Sequence, residues 1–72
     1  MANLKQKFGA KLKALRLERS ITQERLAEYV DVTTHSISNI ERGINGVTFD
    51  RLEKIAEFLD IEVHILFIFF DT

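Results

Sequence analysis

Residues 33–39, near the middle of the chain, hold six polar side chains, and we call five of them the polar row: Thr33, Thr34, His35, Ser38 and Asn39. Their hydroxyl, imidazole and amide groups can donate or accept hydrogen bonds, as the edges of nucleic-acid bases do. The asparagine amide could pair with adenine, the Thr34 methyl could contact thymine, and the histidine could bond to a purine N7. If a helix begins near Thr33, these side chains lie on its outer face near the N-terminus, where they can reach base edges.

The sequence contains no set of residues typical of a catalytic or metal-binding site. The chain has no cysteine, and His35 and His64 stand 29 residues apart without a neighbouring ligand at metal-binding spacing. There is no glycine-rich phosphate loop, and the serines lack a recognisable nucleophile context. We therefore expect no enzymatic activity, no metal ion and no cofactor.

The charges are divided unevenly along the chain, although the net charge is only -1. Residues 1–25 carry seven basic and two acidic side chains, whereas the remaining residues carry three basic and nine acidic ones. This division suggests one basic face directed toward a polyanion. An ordinary solvated amphipathic helix would give the same pattern, and charge alone favours that plainer interpretation.

Length and composition limit the chain to one small unit. Seventy-two residues support a single hydrophobic core, and no proline and only three glycines leave no linker, so we expect residues 1–72 to be one domain. The N-terminus is too charged for a signal peptide, and the apolar run 65–70 is too short to cross a bilayer. The absence of cysteine also suits a reducing compartment. We expect a cytoplasmic protein that does not contact a membrane.

Helical periodicity and capping residues predict the elements that position the polar row. Apolar residues at spacings of three and four predict a first helix from about Asn3 to Arg19. Thr22, Thr33 and Thr48 are each suited to cap the start of a further helix, and Gly43 is suited to end the third. The expected buried faces are Leu4, Phe8, Leu12 and Leu15; then Leu26, Ala27 and Val30; then Ile37 and Ile40; and finally Phe49, Leu52, Ile55, Ala56 and Leu59.

The C-terminal stretch from Ile61 is ambiguous in sequence. Its β-branched and aromatic residues favour a strand, but a lone strand would have no sheet to join, whereas a short fifth helix could pack against its neighbours. The run 65–70 is apolar on every side, so one side should meet a partner subunit. We expect residues 61–72 to form a dimer interface through Ile65, Phe67 and Phe69. The alternative is that the small core covers this run completely.

Two short helices joined by the turn at 30–33, the second opening with polar side chains, fit a helix-turn-helix unit. The segments FGxxLKxLRxERxxTQExLA, VDVTTHSISNIERG and LEKIAEFLDI extend this pattern from about Phe8 to Phe67. In these segments the chain resembles the phage-repressor (Cro/CI, or Xre-type) helix-turn-helix domains. The resemblance implies an all-α, compact five-helix lambda-repressor-like DNA-binding domain with the helix-turn-helix at helices 2 and 3. It places base-reading residues most often at Thr34, His35 and Asn39.

Contacts with the DNA backbone are expected on both sides of the third helix. Gln23 stands first in helix two, where its amide and the N-terminal N–H groups can bind one phosphate oxygen, as the same glutamine does in the domains it resembles. The resemblance further implies backbone contacts by Arg42, Asn45 and Thr48. Asn45 is equally well explained as a turn former alone.

Arg16 and Glu41 are predicted to have a structural role. Each stands beside an apolar position on helices that are expected to cross, so a buried ion pair is the expected outcome. The resemblance implies the same pairing. Removing one partner should destabilise the fold, because the other charge would be left buried and unpaired.

These expectations combine into one function and one competing function. The first is a sequence-specific regulator of transcription that binds double-stranded DNA, a repressor acting as a homodimer on a palindromic operator and needing no small-molecule effector. The second is a protein-interaction module, such as an antitoxin, that binds its partner through the apolar C-terminal segment. DNA affinity that falls steeply with salt would favour the first, and a flat response the second.

Overall fold

The computed structural model describes residues 2–69, and within them every element of regular secondary structure is a helix. Its elements are the α-helices α1 (Leu4–Glu18), α2 (Gln23–Val30), α3 (Thr34–Glu41) and α4 (Phe49–Leu59), followed by a 3-10 helix at Val63–Phe67. The predicted all-α class is confirmed. The predicted number of five α-helices is wrong, because the last element is a five-residue 3-10 helix. None of the helices within residues 2–69 combines the length and the apolarity needed to cross a membrane.

Side-chain caps fix where the helices begin. The hydroxyl oxygens of Thr22, Thr33 and Thr48 each accept a hydrogen bond from the backbone N–H three residues later, at 3.1, 3.0 and 3.3 Å. All three predicted threonine caps therefore form. α1 begins at a reciprocal capping box, in which Asn3 and Gln6 each accept a bond from the other's backbone N–H. The start of α3, and with it the position of the polar row, is set by the Thr33 cap.

A single apolar core joins all five elements. Its buried side chains are Phe8, Leu12, Leu15, Leu26, Ala27, Val30, Ile37, Ile40, Leu52, Ile55, Ala56, Leu59 and Leu66. The predicted burial of Leu4 and Phe49 is wrong, because their exposed fractions are 61% and 85%. Each is the first residue of its helix, on the expected face but beyond the end of the core.

Short turns follow the helices because residues at their C-terminal ends adopt the left-handed conformation. Gly43 does so after α3, at φ +77°, as glycine can without steric cost. Ser20, Asp31 and Asp60 do so after α1, α2 and α4, at φ +54°, +63° and +56°. A left-handed conformation costs a residue with a side chain roughly 1–2 kcal/mol, and a short polar side chain tolerates it best. The short turn at Asp31 brings α3 back against α2.

Gly9 allows α1 and α3 to approach one another closely. A methyl group added at Gly9 would lie 2.3 Å from the carbonyl oxygen of Ile40 and 2.7 Å from that of Glu41. Both atoms belong to the α3 backbone, so no side-chain movement could make room. The absence of a side chain at position 9 therefore determines how deeply the end of α3 rests on α1.

The C-terminal segment, residues 63–69, packs against α1 and α4. Leu66 is fully buried, and the ring of Phe67 lies 5.3 Å from that of Phe8, measured between centroids. The strand alternative does not occur within Val63–Phe67, since these residues form a 3-10 helix instead. Phe67 and Ile68 remain 38% and 46% exposed. Residues 70–72 of the predicted dimerisation segment lie outside the described part of the chain.

Candidate nucleic-acid interface

α3 faces outward with its polar row because its opposite face is fixed in the core. Ile37 and Ile40 are buried there, and the helix packs against both α1 and α2. A helix of two turns anchored at two successive inward positions cannot rotate about its axis without opening the core. The directions of the outward side chains are therefore set before any ligand binds.

The predicted base-reading residues are all accessible. Thr33, Thr34 and His35 are exposed, and Ser38 and Asn39 are half-buried. The Thr33 hydroxyl accepts from the backbone N–H of Ser36 and donates to the Ser36 hydroxyl, both at 3.0 Å. The Thr33 hydroxyl thus already donates one hydrogen bond and accepts another within the chain. The other four side chains offer their groups to a ligand.

Asn39 has two separate sets of contacts. Its side-chain amide lies on the helix surface, with Nδ2 3.3 Å from Nε2 of His35 one turn earlier. Its backbone carbonyl accepts hydrogen bonds from the N–H groups of Ile44 and Asn45, at 2.9 and 3.4 Å. The carbonyl therefore fastens the turn that follows α3, while the amide faces outward next to an imidazole.

The turn at 42–48, between α3 and α4, carries three of the predicted backbone-contacting residues. Arg42, Asn45 and Thr48 are all exposed there, and they offer a guanidinium, an amide and a hydroxyl group. These groups are suitable partners for phosphate oxygens. A methyl group added at Gly46 would lie 3.8 Å from Cε of Lys5, so a basic side chain from α1 lies beside the same turn.

Gln23, the fourth predicted backbone contact, joins the predicted ion pair. Arg16 donates from Nε and Nη2 to the two carboxylate oxygens of Glu41, at 2.6 and 3.0 Å, and from Nη1 to the Ile21 carbonyl at 2.8 Å. Arg16 and Glu41 are each only 7% exposed. Gln23 Nε2 donates to Oε1 of the same carboxylate at 3.0 Å. Sequence reasoning treated the ion pair and the glutamine separately, whereas the structure connects them.

The three predicted dimer residues lie on the C-terminal segment, which packs against α1 and α4. Phe67 covers Phe8 with one side of its ring and is partly exposed on the other. Ile65 and Phe69 are half-buried, and the Phe69 ring meets that of Phe67 edge-on at 6.4 Å. The neighbouring Ile68 is more exposed than any of these three.

Sequence reasoning missed two features that hold the scaffold of the interface. Gly9 carries no periodic signal, because its importance depends on what lies opposite it. Arg19 donates from Nε to the Leu59 carbonyl at 3.1 Å and so joins the ends of α1 and α4, which are 40 residues apart. Within residues 2–69, no cluster of three or more histidine, cysteine, aspartate or glutamate side chains is suited to a metal ion.

Comparisons with known proteins agree with this arrangement. The control protein C.MunI of a Mycoplasma species is 40% identical over 68 residues, which are 93% of this chain and 92% of that protein. The crystal structure of C.AhdI, a restriction-modification controller protein from Aeromonas hydrophila, superimposes with a TM-score of 0.82 and 34% identity, covering 86% of this chain and 94% of that one.

A DNA complex is also among the similar structures. The biofilm master regulator SinR bound to DNA superimposes with a TM-score of 0.77 and 32% identity, over 85% of this chain and 98% of that one. The chain spans about half the length of two Rickettsia helix-turn-helix regulators that it also matches, 48% of one and 46% of the other.

The sequence profile of the helix-turn-helix family matches residues 12–66, which include α2, α3, α4 and most of the core. This range coincides with the part of the chain in which the polar row, the turn at 42–48 and the buried ion pair are assembled. The chain therefore belongs to the helix-turn-helix family of phage-repressor-like (Cro/CI, Xre-type) transcriptional regulators.

Proposed function

We propose that this chain is a sequence-specific, double-stranded DNA-binding repressor of transcription that acts in the cytoplasm as a homodimer on a palindromic operator. The observation that carries the proposal is the fixed outward direction of Thr34, His35, Ser38 and Asn39 on α3, whose inward face is anchored in the core. A short helix with polar side chains near its N-terminus suits the major groove, where each base pair presents a distinct pattern of donors and acceptors.

Groups suited to the sugar-phosphate backbone precede and follow α3 along the chain. Gln23 begins α2, and the exposed turn at 42–48 carries the other three predicted contacts. In the proposed complex they fix the register of the helix in the groove, while the outward side chains read the bases. The similar proteins support this role, since they include control proteins, an immunity repressor and a regulator crystallised with DNA.

Dimerisation would set the spacing of the operator. The partly exposed Phe67 and Ile68 form an apolar patch that a second copy of the chain could cover. A two-fold dimer would place two copies of α3 in successive major grooves, with half-sites about 34–36 Å or roughly 10 base pairs apart. No effector is required in this scheme, because occupancy follows the concentration of the chain through its dimerisation equilibrium.

The first experiment selects bound sequences from a random duplex pool and then measures affinity for the selected palindrome across a salt series. We expect log affinity to fall linearly and steeply with log salt, because bound phosphates release counterions. Asn39→Ala should remove about 1–3 kcal/mol of discrimination at one base position while changing non-specific affinity little.

Two further variants distinguish the reading of bases from electrostatic attraction to the DNA backbone. Arg42→Ala should weaken binding to all sequences by a similar factor and reduce the salt slope by about one. Lys13→Ala removes an equal charge from an exposed position on α1 outside the proposed interface, and should change the slope less. If Asn39→Ala leaves the selected preference unchanged, base reading by α3 is contradicted.

The exposed apolar patch also favours a second candidate, a protein-interaction module that uses the C-terminal segment and does not bind DNA. The same salt series decides between the two. An affinity for DNA that is weak, independent of salt and without sequence preference would favour the interaction module. A steep slope together with a selected palindrome would exclude it as the main function.

A further inference from the structure

The hydrogen bond between Gln23 and Glu41 joins a proposed DNA contact to the buried interior. Glu41 accepts two bonds from Arg16 and a third from Gln23, so one carboxylate links α1, the start of α2 and the end of α3. Gln23 itself is half-buried, and its amide lies where the interior meets the surface. The buried pair is thus hydrogen-bonded to a residue of the proposed DNA interface.

The chemistry of this contact fixes the orientation of the glutamine amide. A carboxylate only accepts hydrogen bonds, so Nε2 rather than Oε1 must point toward Glu41. The amide nitrogen carries two hydrogens, and the bond at 3.0 Å uses one of them. The second hydrogen then remains to donate to a phosphate oxygen. A flexible side chain is in this way ordered before it meets its ligand, and the entropic cost of ordering it on binding is reduced.

The arginine removes an electrostatic obstacle to the same contact. An isolated Glu41 carboxylate would repel a phosphate brought close to Gln23. Arg16 pairs with both carboxylate oxygens and cancels that charge. The Glu41 carboxylate can therefore accept the bond from Gln23 without repelling a DNA phosphate nearby.

We propose that Glu41, neutralised by Arg16, is a positioning residue for DNA binding, which orients the Gln23 amide toward one phosphate of the backbone. The proposal rests on the DNA-binding function proposed above. It gives the buried ion pair a role in affinity that is separate from its contribution to folding.

The main test is a thermodynamic cycle on the operator. It compares the unaltered chain, Gln23→Ala, the apolar exchange Arg16→Met with Glu41→Leu, and the three changes together. Replacing a buried ion pair by apolar residues of similar size often preserves stability, so the exchange should leave a folded protein. We expect Gln23→Ala to weaken operator binding about tenfold in the unaltered chain and about twofold or less in the exchanged one.

A second measurement needs no variant and no DNA. Side-chain 15N relaxation of the free protein should show the Gln23 amide as ordered as the backbone, whereas the exposed Asn45 amide should be mobile. A mobile Gln23 amide would overturn the proposal, as would an equal loss of affinity on Gln23→Ala in both chains of the cycle. If the unaltered chain does not bind duplex DNA at all, the proposed function itself fails. That outcome differs from one in which the chain binds DNA but Gln23→Ala weakens binding equally with and without the ion pair, which would contradict only the positioning role of Glu41.

Discussion

α3 and the C-terminal segment both pack against α1, but the two contacts are of different kinds. The contact with α3 is closed: backbone meets backbone at Gly9, and no buried side-chain nitrogen or oxygen of the ion pair lacks a hydrogen-bond partner within the chain. The contact with the C-terminal segment is open. Phe67 covers Phe8 with one face of its ring, yet Phe67 and Ile68 remain substantially exposed.

This difference separates a part of the molecule that is complete in one chain from a part that is suited to a partner. A closed contact gives α3 a fixed direction, which the proposed reading of bases requires. An open apolar contact keeps hydrophobic surface available, and burial of that surface can drive association. Substitutions at the first contact should therefore change mainly the stability of the chain, and substitutions on the exposed side of the second should change mainly its association.

Glu41→Ala should have the largest effect on stability. It leaves the Arg16 charge buried without its partner and should lower the free energy of unfolding by about 3–5 kcal/mol, measured by urea denaturation. The apolar exchange of Arg16→Met with Glu41→Leu serves as its control and should remain near the unaltered value. A loss below about 1 kcal/mol for Glu41→Ala would resemble an exposed ion pair and contradict the closed contact.

Gly9→Ala should come next. Alanine is favoured over glycine in a helix by about 1 kcal/mol, but the added methyl group meets the α3 backbone at 2.3 Å. We expect a net loss of roughly 2 kcal/mol, as in other overpacked sites. Gly46→Ala is the matched control, because its nearest neighbour would be the flexible end of Lys5 at 3.8 Å. If both variants are equally stable, the close approach of α1 and α3 is not as described.

Phe67→Ala should have an intermediate effect. The ring loses its contact with Phe8 but is already partly solvated, so a loss of about 1–2 kcal/mol is expected in a dilute, monomeric sample. Phe49→Ala removes an identical ring that is almost fully exposed, and it should leave the stability nearly unchanged. Equal losses of stability for Phe67→Ala and Phe49→Ala would contradict the packing of Phe67 against Phe8.

Ile68→Lys should change the stability of one chain by less than about 0.5 kcal/mol, because the residue is already 46% exposed and can direct a charged end into solvent. It should nevertheless shift the monomer–dimer equilibrium toward monomer in sedimentation velocity experiments, since a charge would then be buried in the interface. Leu17→Lys alters another exposed apolar residue, on α1, and should leave association unchanged. An unaltered dimer for Ile68→Lys would exclude this patch as the interface.

Residues whose role depends on local structure were predictable from sequence. The threonine caps, the left-handed Gly43 and most of the buried faces follow from rules that act within one or two turns of helix. Periodicity fixes the face of a helix but not how far along it the core extends. Periodicity therefore predicts that Leu4 and Phe49 are buried, although both are exposed in the structure.

The roles of residues that depend on distant parts of the chain were harder to predict from sequence. The close approach at Gly9 and the bond from Arg19 to the Leu59 carbonyl each need a neighbour that only the folded chain supplies. The C-terminal segment combines strand propensity with no strand to pair with, so its conformation is decided by the space that α1 and α4 leave for it. For the candidate site, the residues are predictions from sequence, and the structure adds the bond that joins Gln23 to Glu41.

The two sets of contacts made by Asn39 have a consequence for how such proteins diverge. Its carbonyl secures the following turn, and every amino acid supplies that carbonyl. Folding therefore places little constraint on the side chain at this position. If the Asn39 amide reads a base, as proposed, its exchange for another amino acid would change the target site and leave the scaffold unchanged.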